Sequence, residues 1–216
     1  MQPAPSISAA AELVKTGGII AIVRGDFEPS RLLEIATALH NSGISLLEVT
    51  LNSRNALELI AMLQSSLGAK LLIGAGTVLS ATAAREAMTA GAGFLVSPGL
   101  DSATVKTAQA ADILHLPGVF SPSEVQQALA LGSAMLKLFP ADSAGPGYLK
   151  ALRAPFNRAD FVATGGISAA NIAAWRAAGV VAVAAGSTLI DPRLTTDAIA
   201  ARASAMCAAW QQGATA

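Results

Sequence analysis

Two charged side chains stand where strands would bury them. In "LGSAMLKLFPADSAGPG", residues 131–147, Lys137 is surrounded by Ala134, Met135, Leu136, Leu138 and Phe139. Those neighbours are apolar on both parities, which predicts a strand covered on both faces. Glu48 is enclosed in the same way in "LLEVT", residues 46–50. Desolvation disfavours an ammonium, so a lysine in such a strand has a depressed pKa, and its free amine can attack a carbonyl to form a Schiff base. A carboxylate within reach could then move protons. The competing reading is an ion pair that only satisfies two buried charges. Strand alternation lets Glu48 point inward with Thr50, and Lys137 with Met135; both readings require the two to be close.

The elements that must position these residues follow from the apolar runs. Ile-, Leu- and Val-rich segments recur at Gly18–Val23, Leu46–Thr50, Leu71–Gly74, Phe94–Ser97, Ile113–Leu116, Ala134–Leu138, Phe161–Ala163 and Val180–Ala185. Between them lie segments of helical spacing such as "PSRLLEIATALHNSG", "ATAAREAMTAGAG" and "SAANIAAWRAAG", several opening on Ser or Pro and closing on Gly. Strand followed by helix, eight times over, predicts parallel pairing and a closed (β/α)8 TIM barrel of the α/β class. The expectation is one domain over 1–216, with an N-terminal helix at about 6–16, the barrel at about 18–190 and a C-terminal helix at about 194–212. An open doubly wound sheet is the alternative, but "GAGTVL" from Gly74 lacks the third glycine of the dinucleotide fingerprint.

A barrel gathers its chemistry at the carboxyl ends of its strands. That rim collects Arg24, Glu48, Thr50, Gly76, Thr77, Ser97, Pro98, Pro117, Gly118 and Lys137, then Thr164, Gly165, Gly166, Gly186 and Ser187. The last two strands end in "ATGGIS" and "AAGSTLI". Glycine lets backbone N–H groups approach an anion, and a helix beginning near Ser168 would aim its positive end at the same place, so these turns predict a phosphate site. Ordinary βα turns that need glycine for φ > 0 are the competing explanation.

Composition narrows the partners. Fourteen basic and fourteen acidic side chains cancel, and no basic cluster forms, which argues against nucleic acid and anionic membranes. Apolar residues reach 53%, but in runs well short of the roughly 20 needed to cross a bilayer, so a soluble protein is expected. Neither a basic start nor an apolar segment marks the N-terminus, and the single cysteine, Cys207, can form no internal disulfide; a cytoplasmic location fits. Cys207 reads as a small buried hydrophobe. The two histidines, His40 on a helix end and His115 in a strand, make no metal cluster, and no metal or cofactor is expected.

At these same residues the chain resembles the class I aldolases of 2-keto-3-deoxy-6-phospho sugar acids, the KDPG/KHG aldolase family. The likeness runs from about Gly18 to Ile190 through "AIVRG", "LLEVTLNS", "IGAGTVL", "VSPGL", "LPG", "LKLFPADSAGPGYLKAL", "TGGIS" and "GSTLI". It implies a trimeric barrel in which Lys137 forms a Schiff base with substrate and Glu48 acts as general acid and base. Thr77, Pro98 and Phe139 would shape the pyruvyl pocket, Asn52 and Thr164 would bond substrate oxygens, and Gly165, Gly166, Gly186 and Ser187 would hold phosphate. Gluconate-type members read "EVTLRT" where this chain has "EVTLNS", so Asn52 replaces an arginine linked with the pyruvate carboxylate. "LNS", "AIVRG" and "SAGPGYLKAL" resemble the 6-phosphogalactonate branch, in which Arg24 would supply the cation, whereas "TGGIS" resembles the gluconate type. Cleavage of the galactonate epimer to pyruvate and glyceraldehyde 3-phosphate is the favoured expectation. The 6-phosphogluconate and 4-hydroxy-2-oxoglutarate activity is the alternative, and a non-catalytic phosphosugar-binding barrel is the reading from another class.

Overall fold

The computed structural model describes residues 4–133 and 135–213. Its strands are β1 (Ile19–Val23), β2 (Leu46–Thr50), β3 (Leu72–Gly76), β4 (Phe94–Val96) and β5 (Leu114–Leu116), followed by β6 (Gly118–Val119), β7 (Met135–Leu138), β8 (Asp160–Thr164) and β9 (Ala182–Ala185). The helices are α1 (Ile7–Gly17), α2 (Pro29–Asn41), α3 (Ala56–Leu67), α4 (Ala81–Thr89) and α5 (Ser102–Ala110), then α6 (Pro122–Ala130), α7 (Ala141–Arg153), α8 (Ile172–Ala177) and α9 (Thr196–Gln212). Ala134, the expected first residue of the strand that bears Lys137, lies outside the described residues.

Every pairing is parallel, and the order β5-β4-β3-β2-β1-β9-β8-β7-β6 carries the sheet around to its own beginning. Eight strands were expected where nine are found among the described residues, because pairing resumes after the fifth run, on the far side of Pro117. A proline nitrogen has no hydrogen to donate. Before it, Leu114–Leu116 pair with β4; after it, Gly118–Val119 pair with β7, and the Pro117 carbonyl itself accepts from the Lys137 N–H at 2.9 Å. One extended segment thus hands the sheet from β4 to β7 and closes the barrel next to Lys137.

Two apolar layers result from the period-2 alternation. Ile20, Ile22, Leu46, Phe94, Val96, Leu114, Leu116, Met135, Val162, Ala182 and Ala184 pack inside the barrel together with Ala10 and Val14, so α1 covers the amino-terminal mouth. Lys15 of α1 holds the far side of that mouth through Asp160 at 3.0 Å. The alternate residues, among them Ala21, Leu47, Ile73, Leu95, Leu136, Phe161 and Val183, pack outward against the helices. With the amino-terminal mouth plugged, the carboxyl rim is left open to a ligand.

Helix ends follow local chemistry. Ser6, Ser80 and Thr195 cap α1, α4 and α9 through their hydroxyls, and Ser121 with Glu124 forms a capping box ahead of α6. Among the described residues no helix is long and apolar enough to cross a membrane. Cys207, expected to be buried, is only half-buried in α9, and its surroundings push the thiol pKa up. His40 is half-buried in the last turn of α2.

Candidate active site

Lys137 lies in β7 between Gly118 and Val162, and Glu48 lies in β2 between Ile22 and Gly74. Both are almost sealed from solvent, Glu48 at 1% exposure and Lys137 at 3%. The carboxyl group fits because β3 presents glycines to the interior. A Cβ on Gly76 would stand 1.7 Å from Glu48 Oε1, and one on Gly74 would stand 2.3 Å from the Phe94 ring. The glycines of "GAGTVL" therefore make room for a carboxylate and an aromatic ring inside the barrel. A Cβ on Gly118 would strike the Pro98 carbonyl at 2.2 Å, so the close approach of these two segments also depends on glycine.

Neither Glu48 oxygen finds a hydrogen-bond partner among the described residues. The ion pair that would merely satisfy the two charges is not made. Lys137 Nζ instead lies 4.7 Å from the centroid of the Phe139 ring. Burial raises the Glu48 pKa, partly offset by the positive charges of Lys137 and Arg24. Burial also lowers the Lys137 pKa; Glu48 opposes that shift and Arg24 adds to it. Both displacements favour the uncharged forms, an amine and a carboxylic acid.

A cavity of about 500 Å³ opens at the carboxyl ends of β1, β7, β8 and β9; neither Glu48 nor Lys137 is in its lining, but Ile22, which pairs with Glu48, and Phe139, which lies over Lys137, are. Arg24, Phe139, Thr164, Gly165, Gly166, Gly186 and Ser187 all line it, seven residues singled out from the sequence. Thr164 brings a buried hydroxyl oxygen that meets no partner among the described residues. Gly165 and Gly166 have φ of +117° and +64°, and a Cβ on Gly166 would come within 2.7 Å of Asp142 Cβ. After β9, the Leu189 and Ile190 N–H groups both donate to the Gly186 carbonyl, forming a single helical turn at the cavity edge. Arg202 Nη1 donates to the Thr188 carbonyl at 3.2 Å and braces that turn.

Asn52, Thr77 and Pro98 lie on the same rim outside this lining. Asn52 is exposed, and Thr77 follows directly on the Gly76 that packs against Glu48. The helix expected to begin near Ser168 begins instead at Ile172. Asn171 causes the delay: its Oδ1 accepts the Ser168 N–H at 2.9 Å and its Nδ2 donates to the Gly166 carbonyl at 2.9 Å, which holds the intervening residues in a turn. The expected helix amino terminus is therefore not at Ser168.

Two residues here went unread in the sequence. Ser53 is buried and accepts the Gly25 N–H at 3.0 Å while bonding the Thr50 hydroxyl at 2.9 Å, which ties the loop that carries Arg24 to the end of β2. Asp142 lines the cavity beside the paired glycines. A serine in a turn has no sequence signal for a partner 28 positions away; "FPAD" placed Asp142 next to the lysine strand and was the one available hint.

Comparison with known proteins supplies the frame for this geometry. Residues 10–203 match the model of the aldolase family described as KDPG and KHG aldolase. A protein of Rhizobium meliloti named probable 2-dehydro-3-deoxy-6-phosphogalactonate aldolase is 34% identical over 193 residues, 89% of this chain and 91% of its own. A 2-dehydro-3-deoxy-phosphogluconate aldolase of Pseudomonas aeruginosa is 37% identical over 186 residues, 86% and 83% of the two chains. The crystal structure of KDPG aldolase from Legionella pneumophila, with pyruvate captured as a covalent carbinolamine intermediate, superposes with a TM-score of 0.80 at 30% identity and covers 89% of this chain and 96% of its own. With a family match that spans every strand of the barrel, and with a lysine and a carboxyl group enclosed at its open end, the chain belongs to the KDPG and KHG aldolase family.

Proposed function

We propose that this aldolase works through a Schiff base on Lys137 and cleaves a 2-keto-3-deoxy-6-phospho sugar acid to pyruvate and glyceraldehyde 3-phosphate. The observation that carries the reading is the burial of both Glu48 and Lys137 with the Glu48 oxygens meeting no hydrogen-bond partner among the described residues, which favours a free amine beside a protonatable carboxyl group. The Lys137 amine adds to the C2 ketone to give a carbinolamine, and the Glu48 carboxyl group protonates its hydroxyl, which leaves as water to give an iminium beside a Glu48 carboxylate. Glu48, directly or through one water, takes the C4 hydroxyl proton. The C3–C4 electron pair then moves into the iminium, C4 leaves as the aldehyde, and an enamine of pyruvate remains. Glu48 returns its proton to C3, and hydrolysis of the iminium frees pyruvate and the amine, with the proton released going back to Glu48. A carboxyl group whose pKa is raised toward the working pH is suited to both halves of that exchange.

The cavity supports the substrate assignment. Phe139, with Thr77 and Pro98 on the adjoining rim, bounds the pyruvyl end, and Thr164 offers its unpartnered hydroxyl to a substrate oxygen. Gly165 and Gly166, with the Gly186–Ser187 turn, let backbone amides approach the phosphate. The 6-phosphogalactonate epimer is favoured, because Arg24 lines the cavity and position 52 holds a short exposed asparagine. The 6-phosphogluconate and 4-hydroxy-2-oxoglutarate reading is the second candidate, supported by the Pseudomonas aeruginosa relative. A homotrimer is proposed from the family resemblance, and a phosphorylated substrate, which cannot leave its compartment unaided, supports a cytoplasmic enzyme.

Incubation with pyruvate and sodium borohydride, followed by intact mass and peptide mapping, tests the reading. A reduced pyruvyl adduct on Lys137 alone is the expected result; its absence would overturn the Schiff-base assignment. Comparing kcat/KM for the two C4 epimers decides the substrate.

A further inference from the structure

His115 is a buried titratable side chain for which the aldol chemistry has no use. It stands in β5 between Leu114 and Leu116, which face the barrel interior, so its ring points outward into the layer beneath the helices. Its Nε2 lies 2.8 Å from Ser97 Oγ, and Ser97 Oγ lies 2.6 Å from the Val78 carbonyl oxygen. A serine hydroxyl has one hydrogen, and the carbonyl can only accept it. The other contact must therefore be donated by the ring, which puts the histidine proton on Nε2. All three residues are buried.

The end of this chain of bonds lies beside the active site. Val78 follows Thr77, which holds φ at +57°, a conformation that L side chains rarely adopt. Thr77 in turn follows Gly76, the glycine packed against the Glu48 carboxyl group. The Val78 N–H donates to Val96 at 3.1 Å, and the Ser97 N–H donates to Leu116 at 3.1 Å, so backbone bonds place the two strand ends side by side. Those bonds do not restrain the Val78 carbonyl; Ser97 does, and His115 orients Ser97.

We propose that His115 and Ser97 are positioning residues that hold the Gly76–Val78 turn against Glu48 and so shape the pyruvyl end of the site. The inference rests on the Schiff-base reading for its kinetic consequence, while the structural link from His115 to Val78 stands apart from it. Neither residue touches the cavity that receives substrate.

Amide hydrogen exchange and pyruvate-dependent borohydride trapping, measured on Ser97→Ala, His115→Leu and His115→Gln, test the proposal. Glutamine keeps a donor near the place of Nε2, so it is the conservative variant and guards against a failure of the other two to fold. In Ser97→Ala and His115→Leu, exchange at 76–79 should accelerate at least about tenfold, and the half-saturating pyruvate concentration should rise about tenfold, with the trapping rate at saturation kept. His115→Gln should stay within about twofold of the parent on both readouts. Unchanged exchange at 76–79 in folded Ser97→Ala, or an unchanged half-saturation in both disruptive variants, would overturn it. Failure of the parent enzyme to form any adduct would instead overturn the role of Lys137, and the exchange data would still decide for or against the positioning role.

Discussion

Burial acts on Lys137 and Glu48 in opposite senses of charge and toward one chemical end. The ammonium loses its proton more readily and the carboxylate gains one more readily, which suits the proposed roles of nucleophile and proton carrier, with no ion pair to tie them up. Lys137→Ala should abolish adduct formation and lower kcat/KM by about a thousandfold or more, with far-UV circular dichroism unchanged. Glu48→Gln should still trap pyruvate, while kcat for cleavage falls by about 100- to 10,000-fold. The rising limb of kcat/KM that reports deprotonation of Lys137 should lie below the ordinary lysine value of 10.5, chiefly through burial. Arg24 contributes a smaller part of that depression, so Arg24→Met should move the limb to higher pH. A limb that moves to lower pH, or does not move, contradicts this account. Lys137 and Glu48 were legible as a pair because apolar neighbours on both parities mark a strand with no wet face. Gly76 was not legible in the same sense: that it vacates space for Glu48 depends on β2 and β3 standing side by side.

At the scale of elements, each strand end is positioned by a few polar bonds that reach across the sequence. Ser53 is the clearest case, since it joins the loop after β1 to the turn after β2. Ser53→Ala leaves the Gly25 N–H without its acceptor, which should cost about 1–2 kcal/mol and lower Tm by a few degrees. Because that loop carries Arg24, KM for the phosphorylated substrate should rise several-fold with kcat little changed; steady-state kinetics and a thermal melt check both halves. The strand and helix order was readable from the repeat of apolar runs and caps. The resumption of pairing beyond Pro117 and the late start of α8 were not. Each depends on a partner, β7 in one case and the Asn171 side chain in the other, that the local pattern does not contain.

For the whole molecule, His115 links the outer layer of the barrel to acid stability. Burial lowers its pKa from 6.5 to about 4, with Asp101 opposing the shift slightly. The unfolded chain therefore takes up the proton first as pH falls. The contribution of the neutral ring is fully present above about pH 6.5 and is lost progressively down to about pH 4, for a total of about 3 kcal/mol. Urea unfolding across that window should show the decline, and His115→Gln should flatten it; an equal slope in both proteins would assign the acid sensitivity to other groups.

Sequence alone determined the repeat, the enclosure of Lys137 and Glu48 in strands, and the gathering of glycines at the ends of the last two strands. These are matters of local pattern, since period-2 burial, helix capping and turn chemistry are written in neighbouring residues. Only the tertiary structure decided that Glu48 stays unpaired, that Gly74 and Gly76 serve the barrel interior, that Ser53 ties the loop after β1 to the turn after β2, that Asp142 lines the cavity, and that His115 and Ser97 bond to each other. Those properties depend on which atoms meet across strands far apart in the chain, and a closed barrel brings them together through parallel register that no short segment specifies.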